Sequence, residues 1–336
     1  MKSKSYILLL LAVLMAVPVQ AQRKAGRNGA AFLKVAVGAR EAALGSAATS
    51  MLGSANSIFW NPAGTVLSAD QTADISLSYN DWIAELNHNA VAASYNLGSQ
   101  GTVSIGFQSL GLSDIPANRQ NGYSDPILQD LVTDTETSDT YNYQDLALSV
   151  SYAKYFIDRL SLGATVKYVS ESIDGVSGSA IAFDFGSVYK INDTGWNLAA
   201  RIINVGQPIT FYNQANPLPL SFAIGTSFMP VQSDAASLML SIDTVKPLDT
   251  QQLVYGGAEL ALYDMVYLRG GYKLFYSGQE DSGTSLRDPI NTSIEGFSAG
   301  AGLKTQFSGY GFAVDYAYTQ MDLLDAVHRI SLNIGL

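Results

Sequence analysis

Most of this chain repeats one short pattern, in which apolar and polar residues alternate over eight to twelve positions and then give way to a turn. In TVSIGFQS, residues 102–109, the side chains of Val103, Ile105 and Phe107 fall on one face and small or polar side chains on the other. A period of two is that of a β-strand with one apolar face. The chain is therefore expected to be all-β. We expect fourteen strands, which begin near residues 72, 88, 102, 145, 160, 179, 195, 219, 237, 251, 265, 295, 310 and 327.

The connections between these segments alternate between short turns and longer loops. Short turns are expected at residues 97–101, 156–159, 191–195, 230–237, 262–264 and 306–309. The longest connections, at 111–144 and 276–294, both follow odd-numbered strands. Long loops on one side and short turns on the other are typical of an outer-membrane β-barrel.

The final segment, HRISLNIGL (328–336), has the alternation of a strand and no tail beyond it. An unpaired edge strand invites aggregation, so this strand is expected to have a partner on both sides. Closure onto the strand near Ala73 removes every edge and predicts a 14-stranded antiparallel transmembrane β-barrel. A soluble β-sandwich or solenoid is the alternative. Only 14% of the residues are charged, against about 25% in typical soluble domains, which favours the barrel.

The first 21 residues are expected to be a cleaved signal peptide. Lys2 and Lys4 precede an apolar run from Tyr6 to Val19, and Val19-Gln20-Ala21 suits a signal peptidase. The mature chain is therefore expected to be exported. It contains no cysteine, which excludes disulfides and thiolate metal sites. The net charge of the full chain, −10, argues against a nucleic-acid partner, which would require a basic surface.

Eight charged residues fall inside the expected strands, all on the face with small or polar side chains. They are Lys167, Asp184, Arg201, Asp243, Glu259, Arg269, Asp315 and Arg329. Arg or Lys facing lipid at the bilayer midplane costs about 2–4 kcal/mol, so we expect this face to line the lumen.

Folding each hairpin about its turn predicts four charge pairs in the lumen. They are Lys167 with Asp184, Asp184 with Arg201, Glu259 with Arg269, and Asp315 with Arg329. Four acids and four bases are balanced, which indicates a cross-linked wall rather than an ion-selective pore. Contact with a substrate is the alternative role for the same side chains.

Residues 22–71 do not alternate and are expected to form a hatch that plugs the barrel of residues 72–336. The stretch 32–52 is rich in alanine and predicts one or two short helices, interrupted at Gly45. The stretch 55–68 contains Asn61-Pro62 and Ala63-Gly64, which predict a turn. A solvated extension beneath the barrel would carry more charge, so a plug is favoured.

The hatch also carries a resemblance to a known family. Phe32-Leu33-Lys34, Gly38-Ala39-Arg40, Ala43-Leu44-Gly45 and Asn61-Pro62-Ala63-Gly64 resemble the N-terminal signature of the PorV/PorQ family, which is itself similar to the fatty acid transporter FadL. A looser similarity extends through Gly257-Ala258-Glu259 and Leu268-Arg269-Gly270-Gly271-Tyr272. The resemblance implies a fourteen-stranded outer-membrane barrel with an N-terminal hatch. The signature residues expected to matter are Arg40, Glu41, Trp60, Asn61, Pro62 and Gly64.

Two functions are compatible with this resemblance. The family implies an adaptor or cargo-binding component of type IX protein secretion, which would bind secretion subunits or cargo through loops 111–144 and 276–294. FadL instead implies a passive transporter of hydrophobic molecules, with an apolar pocket near the hatch lined by Phe59 and Trp60 and a kink or gap in a wall strand. The balanced lumen charges and the acidic character of loop 111–144 favour the adaptor. In either case Trp60 and Asn61 are functional residues or simply anchors of the hatch turn.

The sequence offers little for catalysis or cofactor binding. Histidine is the commonest general base, and only His88 and His328 are present. Ser331 is near His328 in sequence but on the opposite face of the strand. The stretch DTETSD (134–139) has carboxylates of the kind that bind calcium but lacks EF-hand spacing, so a solvated loop is preferred. We expect no enzymatic activity, no cofactor, and lipid of the outer membrane as the surroundings.

Overall fold

The computed structural model describes residues 28–117, 139–250, 252–274, 295–321 and 324–336. Its strands are β1 (Ala73–Asp81), β2 (Asn87–Asn96), β3 (Thr102–Pro116), β4 (Thr140–Ile157), β5 (Leu160–Ile173), β6 (Val176–Lys190), β7 (Asn197–Gly206), β8 (Ile209–Phe211), β9 (Gln214–Asn216), β10 (Ser221–Gln232), β11 (Ala236–Pro247), β12 (Leu253–Leu262), β13 (Val266–Leu274), β14 (Phe297–Phe307), β15 (Tyr310–Thr319) and β16 (Val327–Gly335). All except β8 and β9 form one closed antiparallel barrel of fourteen strands. The predicted fold is confirmed.

The final strand closes the barrel. Leu332 of β16 lies opposite Val314 of β15 on one side and Leu77 of β1 on the other. The backbone amides of Thr72 and Ala73 both donate to the carbonyl of Leu336, so pairing continues to the last residue. No strand edge is left open along this seam, as the alternation of the final segment predicted.

The two faces of the wall differ as the alternation requires. In β3, Val103, Ile105 and Phe107 are exposed on the outer surface, while Ser104 and Gln108 are buried inside. The eight charged strand residues named above are all buried as well, which places them in the lumen. The outer surface therefore carries an apolar belt, and the lumen is polar.

Short turns and long loops lie on opposite ends of the barrel, here called the short-turn side and the long-loop side. Two-residue turns at 158–159 and 308–309 are on the short-turn side. The two longest connections are on the other end, and their residues 118–138 and 275–294 lie outside the described residues.

Two local differences from the predicted strands stand out. β4 begins at Thr140, five residues earlier than expected. The hairpin β8–β9, between β7 and β10, has only three residues per strand, too few for a periodic signal. It folds inward, and Ile209 is fully buried in an apolar cluster with Phe32 and Val169.

Residues 28–72 fill the lumen and form the hatch. Their helical elements are α1 (Ala39–Ala43) and three 3-10 turns, Ala31–Lys34, Ala55–Phe59 and Pro62–Thr65. No helix in the described part of the chain is long and apolar enough to cross a membrane. Gly38 and Gly45 have φ values of +89° and +62°, so each turns the chain at an end of α1. α1 packs against β13–β16, while Pro62–Thr65 packs against β4–β6, so the hatch reaches across the barrel.

Candidate binding site above the hatch

The Asn61-Pro62-Ala63-Gly64 turn is bonded to the barrel wall. The Asn61 side chain donates to the carbonyl oxygens of Thr49 (2.7 Å) and Ser187 (3.3 Å), and its Oδ1 accepts from the Ala63 amide (3.1 Å). The hydroxyl of Ser161 in β5 donates to the Ala63 carbonyl at 2.7 Å. Asn61 thus caps its own turn and ties that turn to β6.

Two wall glycines, Gly163 and Gly186, make room for this turn. A Cβ at Gly186 would lie 1.8 Å from Asn61 Oδ1, and a Cβ at Gly163 would lie 2.4 Å from the carbonyl carbon of Pro62. Sequence reasoning missed both, because a glycine on the lumen face of a strand gives no signal of what approaches it. Gly64 is constrained within the hatch, since a Cβ there would lie 2.4 Å from the Met51 carbonyl oxygen.

Trp60 connects two parts of the hatch to the wall. Its indole nitrogen donates to the Val37 carbonyl at 2.9 Å, and its own carbonyl accepts from the Arg201 guanidinium. That guanidinium also lies 5.5 Å from the centre of the Trp60 ring, within the range of a cation–π interaction.

The second anchor of the hatch is a charged cluster at α1. Arg40 donates two hydrogen bonds to Glu259, at 2.8 and 2.7 Å. Arg269 donates to Glu259 and to Asp315, each at 2.6 Å, so the two arginines and two carboxylates alternate. The neighbouring Glu259 carboxylate raises the pKa of Arg40 above its ordinary value, which keeps the Arg40 guanidinium ionised. Glu41, next in sequence, is buried, and burial raises the pKa of its carboxyl.

The lumen contains two of the four expected charge pairs. Lys167 Nζ lies 2.6 Å from Asp184, and Arg269 Nε lies 2.6 Å from Glu259. Asp243 instead accepts a hydrogen bond from the hatch, from the amide of Thr49 at 2.9 Å.

The other two expected pairs form no direct ion pair among the described residues, and the strand register explains why. Arg329 lies opposite Ala317 and donates to Thr319 at 2.7 Å, whereas Asp315 bonds to Arg269. Arg201 lies opposite Gly186, and a register shift in the β6–β7 pair directs Asp184 to the amide of Asn204 at 2.8 Å.

Cavities lie on both sides of the hatch. On the short-turn side, a polar cavity of about 660 Å³ is lined in part by Arg40, Glu41 and Glu259. On the long-loop side, a cavity of about 110 Å³ lies against the hatch and is called here the upper cavity. Its apolar wall includes Val37, Phe59, Trp60, Ile203, Pro219 and Val245. The transporter hypothesis predicted an apolar pocket at Phe59 and Trp60; the structure has a cavity there, and its lining combines apolar and polar residues.

The wall beside the upper cavity is irregular. The β7–β10 ladder ends at the pair Ile203–Ser221. The next residue, Asn204, has a φ of +62° inside β7. The side-chain nitrogen of Asn204 donates to the Pro219 carbonyl at 3.1 Å, and its side-chain oxygen accepts from Lys167 at 3.1 Å. The Asn204 side chain therefore joins β7 to the segment just before β10 where the backbone ladder has stopped. This bulge is an irregularity of the kind that the transporter hypothesis predicted for a wall strand.

No family model matches the chain, and no curated protein matches it either. Solved structures do. The CymD monoaromatic hydrocarbon channel superposes with a TM-score of 0.54 at 12% identity, over 90% of this chain and 97% of CymD. The Pseudomonas putida toluene transporter TodX gives 0.54 at 11% identity, over 88% and 96%. The Ralstonia pickettii toluene transporter TbuX gives 0.51 at 12% identity, over 89% and 97%.

The chain thus shares the fold of these channels. They are similar over nearly their whole lengths, which extends the likeness to the barrel and the segment inside it. At identities of 11–12% the similarity establishes architecture, while the ligand has to be argued from the residues of this chain.

The two histidines lie on opposite faces of the barrel wall. His88 is buried in the lumen, with Nε2 3.1 Å from the amide nitrogen of Gln108. His328 is on the outer face, where Nδ1 lies 2.7 Å from the hydroxyl of Tyr316. Ser331 is buried on the face opposite His328. The structures that share this fold are described as channels and transporters, which is compatible with a protein that is not an enzyme.

Metal binding finds no support in the described ranges, where no three His, Asp or Glu side chains are grouped to hold an ion. The acidic stretch 134–139 lies almost wholly outside the described residues, as do most of the loops 111–144 and 276–294.

Proposed function

We propose that the protein is a passive transporter of small hydrophobic molecules in a bacterial outer membrane. The upper cavity carries this proposal. Part of its wall is apolar, it lies directly above a closed hatch, and it adjoins the irregular wall at Asn204. The shared fold with hydrocarbon channels supports it.

The size of the cavity limits the ligand. An engineered cavity of about 150 Å³ lined by apolar side chains binds benzene. The upper cavity, at about 110 Å³, fits a compact molecule of about one ring better than a long acyl chain. The aromatic faces of Phe59 and Trp60 suit such a ring.

The anchoring of the hatch suggests a route. Arg40 and Asn61 fasten the hatch to opposite sides of the barrel, so a straight path through the lumen requires both to release. At Asn204, by contrast, the backbone ladder between β7 and β10 has ended, and a side-chain hydrogen bond joins β7 to Pro219, just before β10. Hydrophobic molecules are therefore proposed to leave the upper cavity sideways, between β7 and β10, towards the membrane.

Uptake of labelled toluene by cells that produce the protein tests the proposal. Val245→Phe fills the upper cavity, so we expect the initial uptake rate to fall to that of cells without the protein. Val150→Phe is the matched control, because Val150 is 58% exposed on the outer face. Equal uptake by Val245→Phe and the unaltered protein, at equal amounts in the membrane, would contradict the proposal.

A second candidate, the adaptor of type IX secretion, rests on where the family-like residues lie. Leu44 and Gly45 pack so closely on Gly257 and Gly271 that a Cβ at Gly271 would lie 2.0 Å from the Gly45 amide. The segments of family resemblance are therefore the ones that hold the hatch shut, as an adaptor with a closed lumen requires. In this proposal, loops 111–144 and 276–294 bind cargo or other secretion subunits.

Affinity purification from native outer membranes in mild detergent separates the two candidates. Stoichiometric recovery of secreted proteins that share a C-terminal domain would support the adaptor. Recovery of the barrel alone, with hydrophobic molecules in its lipid extract, would support the transporter.

A further inference from the structure

The upper cavity contains a hydrogen-bond acceptor that the protein leaves unused. Gln108 is a lumen residue of β3, is 4% exposed, and lines the cavity. Its side-chain nitrogen contacts the Phe32 carbonyl at 3.2 Å and His88 Nε2 at 3.1 Å. The Phe32 carbonyl can only accept a hydrogen bond, so it sets the orientation of the amide, with the nitrogen towards Phe32. The His88 contact is a second bond from this nitrogen in the tautomer whose Nε2 carries no hydrogen. Among the described residues none donates to the Gln108 oxygen Oε1.

A second polar group in the cavity wall is also unpaired. Ser46 is 3% exposed, and its hydroxyl has no hydrogen-bond partner within the described part of the chain. Ser46 has a φ of +68°, an uncommon conformation for a residue with a side chain. Buried polar groups in proteins are usually paired, because an unpaired one costs about 1–3 kcal/mol.

Most of the charge around the cavity is compensated. Three cationic residues line it: Lys34, Arg201 and Lys273. Lys34 pairs with Asp249 at 2.6 Å, and Lys273 pairs with Glu295. Arg201 donates to the Trp60 carbonyl, while its Nε has no hydrogen-bond partner among the described residues. Since two of the three cations already have an acidic partner, the net attraction of the cavity for an anionic ligand is reduced.

We propose that the upper cavity binds a neutral single-ring compound that carries a hydroxyl group. The ring packs against Phe59 and Trp60, the hydroxyl hydrogen is donated to Gln108 Oε1, and Ser46 supplies the further polar contact. A carboxylate is disfavoured, because it has no hydrogen to donate and would meet the Gln108 oxygen. This inference rests on the proposed transport function and adds the chemical class of the ligand.

The test measures the binding of phenol, toluene, anisole and benzoate to the purified protein in lipid nanodiscs, with empty nanodiscs as the blank. Phenol and toluene differ by a hydroxyl in place of a methyl group, and anisole has an oxygen without a hydrogen. A site with a buried acceptor rejects ligands that leave it unpaired. We expect phenol to bind about tenfold more tightly than toluene or anisole, a difference of about 1.4 kcal/mol.

Variants locate the effect. Gln108→Met removes the acceptor and is expected to reverse the order, so that toluene binds more tightly than phenol. Gln306→Met makes the same change at the cavity on the short-turn side and should leave the order intact. Ser46→Ala, a milder change within the hatch, is expected to weaken phenol binding several-fold without affecting toluene. Ser50→Ala, at another buried and unpaired hydroxyl on the short-turn side, is its control.

The possible outcomes distinguish failure of the inferred ligand class from failure of the proposed transport function. Equal binding of phenol, toluene and anisole, unchanged by Gln108→Met and Ser46→Ala, overturns the inferred ligand class and leaves the transport proposal standing. Tighter binding of benzoate than of phenol overturns the neutrality of the ligand. Binding of none of these compounds above the blank defeats both proposals.

Discussion

Asn61 of the hatch occupies the space that a side chain at Gly186 of the wall would need. The side-chain oxygen of Asn61 lies 1.8 Å from the position of a Cβ at Gly186. The side-chain nitrogen of Asn61 donates to the carbonyl of Ser187, the residue after Gly186. The side chain that leaves no room for a Cβ at Gly186 therefore also bonds to the neighbouring wall residue. The seat of the hatch is thus defined jointly by two residues 125 positions apart in sequence.

Gly186→Ala should displace the hatch turn. The added Cβ overlaps Asn61 Oδ1, and Asn61 then loses its bonds to Thr49 and Ser187, at a cost of about 1–3 kcal/mol. We expect faster cleavage of the hatch by protease and a lower thermal midpoint, with the barrel still closed. Gly270→Ala is the control, since a Cβ there has no neighbour within 4 Å. Equal effects of the two substitutions would contradict the contact.

Arg40→Met should weaken the second anchor. It removes two hydrogen bonds to Glu259 and leaves that buried carboxylate with Arg269 alone. Breaking one side of a buried ion pair is destabilising by about 3–5 kcal/mol, and we expect less here because the Arg40 side chain is 33% exposed.

The measurement for Arg40→Met is conductance in planar bilayers together with thermal unfolding. We expect more frequent openings and a lower midpoint than in the unaltered protein. Lys304→Met breaks the exposed pair with Asp264 and should change neither quantity. If Arg40→Met opened no more often than Lys304→Met, the charged cluster at α1 would not be an anchor of the hatch.

The seating of the hatch should depend on pH through Glu41. Burial raises the pKa of Glu41 above its ordinary value of 4.5, so the seated hatch binds a proton more readily than the released hatch. The contribution of Glu41 to the stability of the seated hatch is complete below pH 4.5 and declines as the pH rises towards the raised pKa.

Glu41→Gln keeps the shape and removes this titration. We expect protease protection of the hatch to decline above pH 4.5 in the unaltered protein, and less steeply in Glu41→Gln. Glu85→Gln, at an exposed residue of the β1–β2 connection, controls for titration elsewhere. Identical pH profiles for the unaltered protein and Glu41→Gln would refute the assignment to Glu41.

Asn204 should support the wall by both its backbone and its side chain. Asn204→Gly keeps the left-handed conformation but removes the bonds to Pro219 and Lys167, so we expect a less stable wall and faster toluene uptake. Asn204→Ala adds strain of about 1 kcal/mol and should unfold at a lower temperature than Asn204→Gly. Equal uptake by Asn204→Gly and the unaltered protein would argue against exit at this point.

Much of the barrel is readable from local pattern. The strand beginning at Thr102 and the closing strand at Val327 are found where alternation places them, because a lumen and a lipid face impose a period of two on every strand. The same alternation assigned Lys167 and Arg329 to the lumen. It did not reveal the hairpin β8–β9, whose three-residue strands are too short to show a period.

By itself, then, the sequence determined the strands, their inward and outward faces, and the presence of a segment that is not a strand. Only the tertiary structure decided which side chains meet. Arg329 and Asp315 were expected to pair by folding a hairpin about its turn, yet the register sets Arg329 against Ala317 and leaves Asp315 to Arg269. Gly186 and Gln108 acquire their roles only when the hatch is seated against them. Alternation is a property of neighbours along the chain, whereas register and the filling of the lumen depend on contacts between different strands and between the hatch and the wall.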